Sequence, residues 1–261
     1  MDVALVTVGD ELLAGDTENT NATWLCRRLT ERGVTVTRVL TIPDDRDVIA
    51  SAVREFSQAF DACVVTGGLG GTPDDVTKAA VADALDRDLV VADDVKAGIV
   101  AKAEAYADQY PDLADAYDLD VDFDAQAAVP EDARPLVTDE SFGPGFVAGN
   151  VYAFPGIPDE LYVMFELVVD EFDGEVVSDS LYTPAPEGAL NDRLSDVRER
   201  FDVSVGSYPG KGRIPTRIKV SGPPAAVDEA MTWLGEHVDV TEPPEGGSGY
   251  ADRPGAEPES R

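Results

Sequence analysis

Short apolar runs closed by tight turns, with helical patterns between them, confine this chain to a narrow set of folds. Val3–Val8 is a continuous apolar run that ends in Gly9-Asp10, as expected of a strand covered on both faces. From about Asn19 to Arg32 the residues Ala22, Leu25, Cys26 and Leu29 fall on one helical face, and Gly33 stops the pattern. Val34–Ile42 alternates as a strand rich in β-branched residues, and Pro43-Asp44-Asp45 opens a helix that runs to about Phe60. Asp61–Thr66 is a second buried strand type, followed by the glycine-rich stretch 67–75 and a helix over Val76–Asp86. This order is the grammar of a parallel sheet with helices on both faces, and hence of an α/β fold. Such sheets bind ligands at the carboxyl ends of their strands. Gly9-Asp10 and the 67–75 loop both lie at such ends, which predicts that they share one site.

Farther along, a helix is predicted from about Asp94 to Tyr110, broken at Pro111. Phe146–Phe154 reads as a hairpin around Gly149-Asn150, Pro155-Gly156-Ile157-Pro158 as a rigid turn, and Asp159–Phe172 as a helix. Beyond Gly174 the pattern changes: Val176–Thr183 extended, Glu187–Arg200 helical, Val203–Tyr208 and Thr216–Ser221 extended, Ala225–His237 helical. This β-α-β-β-α order suggests a small α+β lobe of ferredoxin-like type. Residues 241–261, rich in Pro, Gly, Glu and Ser, read as a disordered tail. The expected organisation is a domain over 1–172, a lobe over 173–240 and the tail 241–261.

Charge narrows the partners. There are 52 acidic residues against 20 basic ones, a formal net charge of −32, spread along the whole chain. Such a polyanion repels nucleic acid, whose binding depends on Lys and Arg neutralising phosphates, and is held off an anionic membrane. Self-repulsion of this size opposes the compact state in dilute buffer and is screened in molar salt. A halophilic cytoplasm is the simplest setting; an acidic mesophilic protein is the alternative. Cys26 and Cys63 sit in apolar runs as small hydrophobes, not as a disulfide framework. With one histidine, His237, a zinc site is not expected. No leader-like segment or apolar run of about 18 residues is seen, so a soluble, cytoplasmic protein is expected.

The sharpest chemical signal is Gly67-Gly68-Leu69-Gly70-Gly71-Thr72-Pro73-Asp74-Asp75. Its glycines permit positive φ and close approach of a ligand to the backbone. The amides of Gly67, Gly68, Gly70 and Gly71, with the Thr72 hydroxyl, can form an anion-binding concavity backed by the next helix N-terminus. It is not a Walker A loop, because no Gly-Lys-Ser/Thr follows, and it lacks the G-x-G-x-x-G spacing of dinucleotide folds. Asp74 and Asp75 beside a phosphate cradle make sense if a divalent cation bridges them to the phosphates, one of the pair also orienting a water. The structural alternative is a tight turn with Asp74 or Asp75 as an N-cap. Asp10 and Glu11 are further candidates for a metal or for ligand hydroxyls, or else turn carboxylates. Asn19 and Asn21 either face the ligand or cap a helix. Pro155 and Gly156 shape a pocket wall or form a purely structural turn. Asp159-Glu160 suits the first turn of a helix, and Trp24 and Trp233 suit cores. His237 suits a surface or capping position, and Lys211-Gly212-Arg213 a solvated hairpin tip.

Three segments together carry a family resemblance: Gly9-Asp10-Glu11-Leu12-Leu13 with Asn19-Thr20-Asn21; Thr66 through Asp75; and Phe154-Pro155-Gly156-Ile157-Pro158-Asp159-Glu160. In this order and spacing the chain, over about residues 1–172, resembles the molybdopterin-binding (MoaB/Mog/CinA) superfamily, and within it the N-terminal domain of CinA-type proteins and their stand-alone archaeal relatives. Ser207-Tyr208-Pro209 resembles the lobe that follows this domain there. The resemblance implies a three-layer α/β sandwich around a mostly parallel sheet, with the 67–75 loop binding the phosphate end of a molybdopterin or nucleotide and Asp75 functional. It implies a divalent-metal-dependent (Mg, Mn or Co) pyrophosphatase acting on ADP-ribose or FAD, in a homodimer or homotrimer. Leu69 stands where Mog-type loops carry threonine, which favours the CinA type over molybdenum-cofactor assembly. The residues after Phe172 leave no room for an amidase domain, so nicotinamide-mononucleotide deamidation is not expected. A molybdopterin-binding protein of cofactor biosynthesis and a non-catalytic nucleotide-binding module are the competing readings.

Overall fold

Strand β1 (Asp2–Val8) sets the layering of the first unit, because its alternate side chains enter two different cores. Ala4, Val6 and Val8 join one, and Val3 and Leu5 the other, all of them buried. The computed structural model describes residues 1–110, 122–210 and 214–244, in two compact units that divide at Gly174 and Glu175. Helix α1 (Asp10–Ala14) and helix α2 (Thr20–Glu31) follow β1; then come β2 (Thr35–Ile42), α3 (Arg46–Ala59), β3 (Ala62–Thr66) and α4 (Thr77–Ala84). Next are β4 (Leu89–Val91), α5 (Asp93–Gln109), α6 (Phe123–Ala127), β5 (Ala128–Pro130), β6 (Arg134–Leu136), β7 (Gly145–Ala148), β8 (Val151–Phe154) and α7 (Pro158–Glu166).

The central sheet has the order β2-β1-β3-β8-β7-β6. Pairings β1–β2, β1–β3 and β3–β8 are parallel, whereas β7–β8 and β6–β7 are antiparallel. The sheet is therefore mixed and mostly parallel, the α/β fold that the alternation of elements predicts. Helices α3 and α4 cover one face, with Ile49, Val53, Phe56, Ala80 and Val81 against β1 and β3. Helices α2 and α7 cover the other through Leu25, Leu29, Leu161 and Phe165. Phe165 stacks on Phe172 at 5.4 Å and lies 5.9 Å from Phe154. Each such buried ring contributes about 1.5 to 3 kcal/mol relative to exposure.

Several local expectations need adjustment. The helix read over Asp159–Phe172 ends at Glu166 and gives way to a 3-10 turn at Val169–Glu171. The helix read from Glu187 begins with a 3-10 turn at Glu187–Ala189. Cys63 is buried; Cys26 is only partly so. Strands β4, β5 and β6 went unread in the sequence.

The second unit contains β9 (Val177–Thr183), α8 (Asn191–Arg200), β10 (Ser204–Tyr208), β11 (Thr216–Gly222) and α9 (Pro224–His237). Its antiparallel sheet has the order β10-β11-β9, and Thr241 adds a single antiparallel bridge to Tyr182 on β9. Leu181, Val197, Ile218, Val227 and Leu234 form its core. Trp24 and Trp233 pack, partly buried, against the cores of their respective units. His237, at the end of α9, stacks on Trp233 at 4.1 Å. Lys211-Gly212-Arg213 and residues 245–261 of the expected tail lie outside the described residues.

Candidate functional site

The carboxyl ends of the four parallel strands meet around one cavity of about 460 Å³. That is within the ordinary size for a small-molecule site. Val8 and Gly9 after β1, Asp44 after β2, Gly67–Gly70 after β3 and Pro155–Ile157 after β8 all line it. The reversal of strand order around β1 puts the cavity where open α/β sheets bind ligands.

The glycine loop is held in place by its surroundings. Gly67 has φ +99° and a side-chain carbon there would stand 2.3 Å from the Val8 carbonyl oxygen. Gly68 has φ +65°, and its added carbon would meet Thr77 Oγ1 at 2.4 Å. Only glycine meets both demands. Leu69 is buried in the α3/α4 core and anchors the loop from below. The Thr77 amide donates to the Gly68 carbonyl at 3.1 Å, joining the loop to α4. The Thr77 hydroxyl beneath it is buried and has no hydrogen-bond partner among the described residues.

Five carboxylates line the cavity (Glu11, Asp44, Asp74, Asp75 and Glu160), and among the described residues neither Lys nor Arg does. Burial pushes the Asp44 carboxyl above its ordinary value. The Asp10 amide, donating to Asp44 Oδ2 at 2.9 Å, pulls the other way, and the charges of Glu11, Asp10 and Asp74 add to the rise. Burial likewise raises Glu160, against the Phe142 amide and the Lys102 charge. The Lys78 ammonium is turned inward: Nζ donates to the carbonyls of Gln126 at 2.8 Å and Ala125 at 3.2 Å. Burial brings it down to about 8, with the Asp75 charge opposing.

The structure revises several residue assignments. The Gly67 amide donates to the Phe154 carbonyl at 3.1 Å, so it is committed to the sheet and not available to an anion. The amides of Gly68, Leu69, Gly70 and Gly71 have no partner among the described residues; Gly71 and Thr72 stand outside the cavity lining. Neither Asp74 nor Asp75 is the N-cap of α4. That position is Val76, without a side-chain cap. Asp75 Oδ2 instead accepts from the Thr72 amide at 2.9 Å and the Thr72 hydroxyl at 2.6 Å, closing the loop on itself. Asp10 lies outside the cavity, in the first turn of α1, while Glu11 faces it. Asn21 lines a smaller neighbouring cavity, and its amide donates to the Gly156 carbonyl at 2.7 Å. Asn19 is the N-cap of α2, accepting from the Ala22 amide at 3.1 Å. Pro155 and Gly156 line the main cavity as a wall.

Sequence reasoning missed Asp44, Gln126 and Phe142–Pro144, and read Glu160 only as a helix start. Asp44 was detectable: it follows β2 as Gly9 follows β1, and one rule applies to both. Gln126 and the 142–144 segment carry no local signal, because they reach the cavity through tertiary packing.

Carboxylate oxygens are the donor type that hard divalent ions take, but among the described residues no group of three His, Cys, Asp or Glu side chains is placed to hold an ion.

Residues 4–173 match the family model described as a probable molybdopterin binding domain, and residues 175–242 match the one described as the FAD synthase middle domain. A protein of Archaeoglobus fulgidus is 34% identical over 226 residues, covering 85% of this chain and 91% of its own. A CinA-like protein of Gemmatimonas aurantiaca is 33% identical over 233 residues, which is 84% of this chain and 53% of that longer one. The crystal structure of the protein CinA, of unknown function, from Thermoplasma acidophilum is similar with a TM-score of 0.56 and 30% identity, covering 66% of this chain and 99% of that one.

Proposed function

The chain belongs to the molybdopterin-binding domain family, in its CinA-like branch, and from that premise we propose that it is a divalent-cation-dependent pyrophosphatase acting on a nucleotide diphosphate such as ADP-ribose or FAD. The observation that supports this reading is the pairing, in one cavity, of loop amides without a partner among the described residues and a wall of carboxylates. Amides alone suit a phosphate. Carboxylates alone repel one, by an amount that grows as water is excluded. The two become complementary when a cation joins the ligand, and neutralising phosphate charge is the chemistry that cation supplies.

The residues that would hold it are Asp74 with Asp44 or Glu11; Asp75 is engaged by Thr72 and acts through its charge and by shaping the loop. The amides of Gly68, Leu69 and Gly70 orient the diphosphate. One carboxylate takes the proton of the attacking water as its oxygen bonds to phosphorus and the bridging P–O bond breaks. ADP-ribose would thus yield AMP and ribose 5-phosphate. Pro155 and Ile157, with Phe142, offer apolar surface to the remainder of the ligand.

The test is AMP release by the purified protein in concentrated KCl from ADP-ribose, FAD and NAD, with and without Mg²⁺, Mn²⁺ or Co²⁺. Cation-dependent AMP from at least one substrate is expected. No release under any condition sinks the hydrolase. A second reading, binding of a pterin phosphate without turnover, is favoured by the family match over residues 4–173. Cation-independent pterin binding with no hydrolysis would select it.

A further inference from the structure

Gln126 is the one buried polar side chain of this cavity that nothing so far employs. It is 6% exposed, lies at the end of α6 and lines the cavity. Its backbone is fixed on both sides: the amide donates to the Asp122 carbonyl at 2.9 Å, and its carbonyl accepts from Lys78 Nζ. Its side-chain carboxamide has no hydrogen-bond partner among the described residues. Its atoms are not among the enclosed unpartnered ones; they open onto the cavity. A carboxamide at a cavity wall, without a partner among the described residues, is available to a ligand.

Its surroundings say which part of a ligand it meets. A side-chain carbon on Gly71, in the anion loop, would come within 2.5 Å of Gln126 Oε1. One on Gly143 would come within 2.6 Å of Nε2. The carboxamide thus lies between the glycine loop, which Oε1 faces, and the segment 142–144, which Nε2 faces. The facing segment is itself clamped, because Lys102 Nζ donates at 2.6 Å to the carbonyls of both Thr138 and Ser141. In a cavity lined by five carboxylates and, among the described residues, no Lys or Arg, a neutral N–H donor contacts a phosphoryl oxygen without adding charge. We infer that Gln126 is a recognition residue for the diphosphate moiety of the ligand, its Nε2 donating to a non-bridging oxygen on the side turned toward Gly143. This rests on the functional reading above and adds to it a residue outside the glycine loop.

Calorimetric titration of the full chain with inorganic pyrophosphate, ADP and adenosine, in concentrated KCl with saturating Mg²⁺, tests it. Gln126→Met keeps the volume and removes the donor; Gln126→Glu keeps the shape and replaces the donor with a charge. Thermal melting checks that each is folded. Both variants should lose about tenfold or more in affinity for pyrophosphate and for ADP alike, as for a hydrogen bond to a charged group, and Gln126→Glu should lose the more. Wild-type affinity for pyrophosphate in either folded variant overturns the inference alone. A loss confined to ADP also overturns it, by moving the contact to the base. If the wild-type protein itself binds neither pyrophosphate nor ADP, the diphosphate reading of the whole cavity falls, and this assignment with it.

Discussion

At the scale of single residues, two substitutions separate chemistry from architecture. Asp75→Asn retains an oxygen that can accept from Thr72, so the loop closure persists while the charge is lost. AMP release should fall by about 100-fold or more, with a melting temperature within a few degrees of wild type. Unchanged turnover would show that the Asp75 charge plays no part in the reaction. Lys78 reports on burial instead. Its folded value of about 8 lies below the ordinary 10.5. Between those two pH values the unfolded chain holds a proton that the folded one has released, so stability rises with pH across that window. Wild type should gain on the order of 3 kcal/mol relative to Lys78→Met from pH 8 to 10.5, read from urea midpoints. Parallel curves for the two proteins would mean that the ammonium is not desolvated as its burial implies. Sequence alone identified the glycine loop and its aspartates because backbone freedom and charge are properties of residue type. It could not say that the Gly67 amide is used by Phe154, or that Asp75 serves Thr72, since both facts depend on which groups the fold brings within hydrogen-bonding distance.

At the scale of elements, the glycine loop works only because neighbouring elements fix it. Leu69→Ala should cost about 2 to 4 kcal/mol in chemical denaturation, as for a buried leucine truncated in a packed core. It should also weaken pyrophosphate binding by releasing the loop from α3 and α4. Destabilisation without a change in affinity would show that Leu69 is filler and not an anchor. Elements with long period signals were legible: β1, α2, α3, β3 and the β7–β8 hairpin all form where the apolar pattern places them. Strands β4, β5 and β6 were not, because three residues hold too little alternation to read. The end of α7 was misplaced for a related reason. Apolar residues continue past Glu166 through Val168 and Phe172, and the chain buries them with a 3-10 turn in place of further helix.

At the scale of the whole molecule, charge dominates. Even if each of the 20 basic residues were paired, 32 acidic residues would remain uncompensated. The ion pairs present, such as Arg46–Asp83 and Arg28–Glu166, have half-exposed partners. Exposed pairs contribute about 0 to 1 kcal/mol each and are themselves screened. Self-repulsion therefore outweighs them, and the melting temperature should climb from dilute buffer to molar KCl. A flat profile would remove salt adaptation from the account. The same imbalance is concentrated at the cavity, and there it has a kinetic meaning. A bare polyanion approaching five carboxylates climbs an electrostatic hill, whereas a chelate arriving with its counterion does not. On the proposed reading, encounter is ordered. The productive visitor is the pre-formed complex, or the cation precedes it, and excess metal-free nucleotide acts as a scavenger of the ion rather than as a competitor for the cleft.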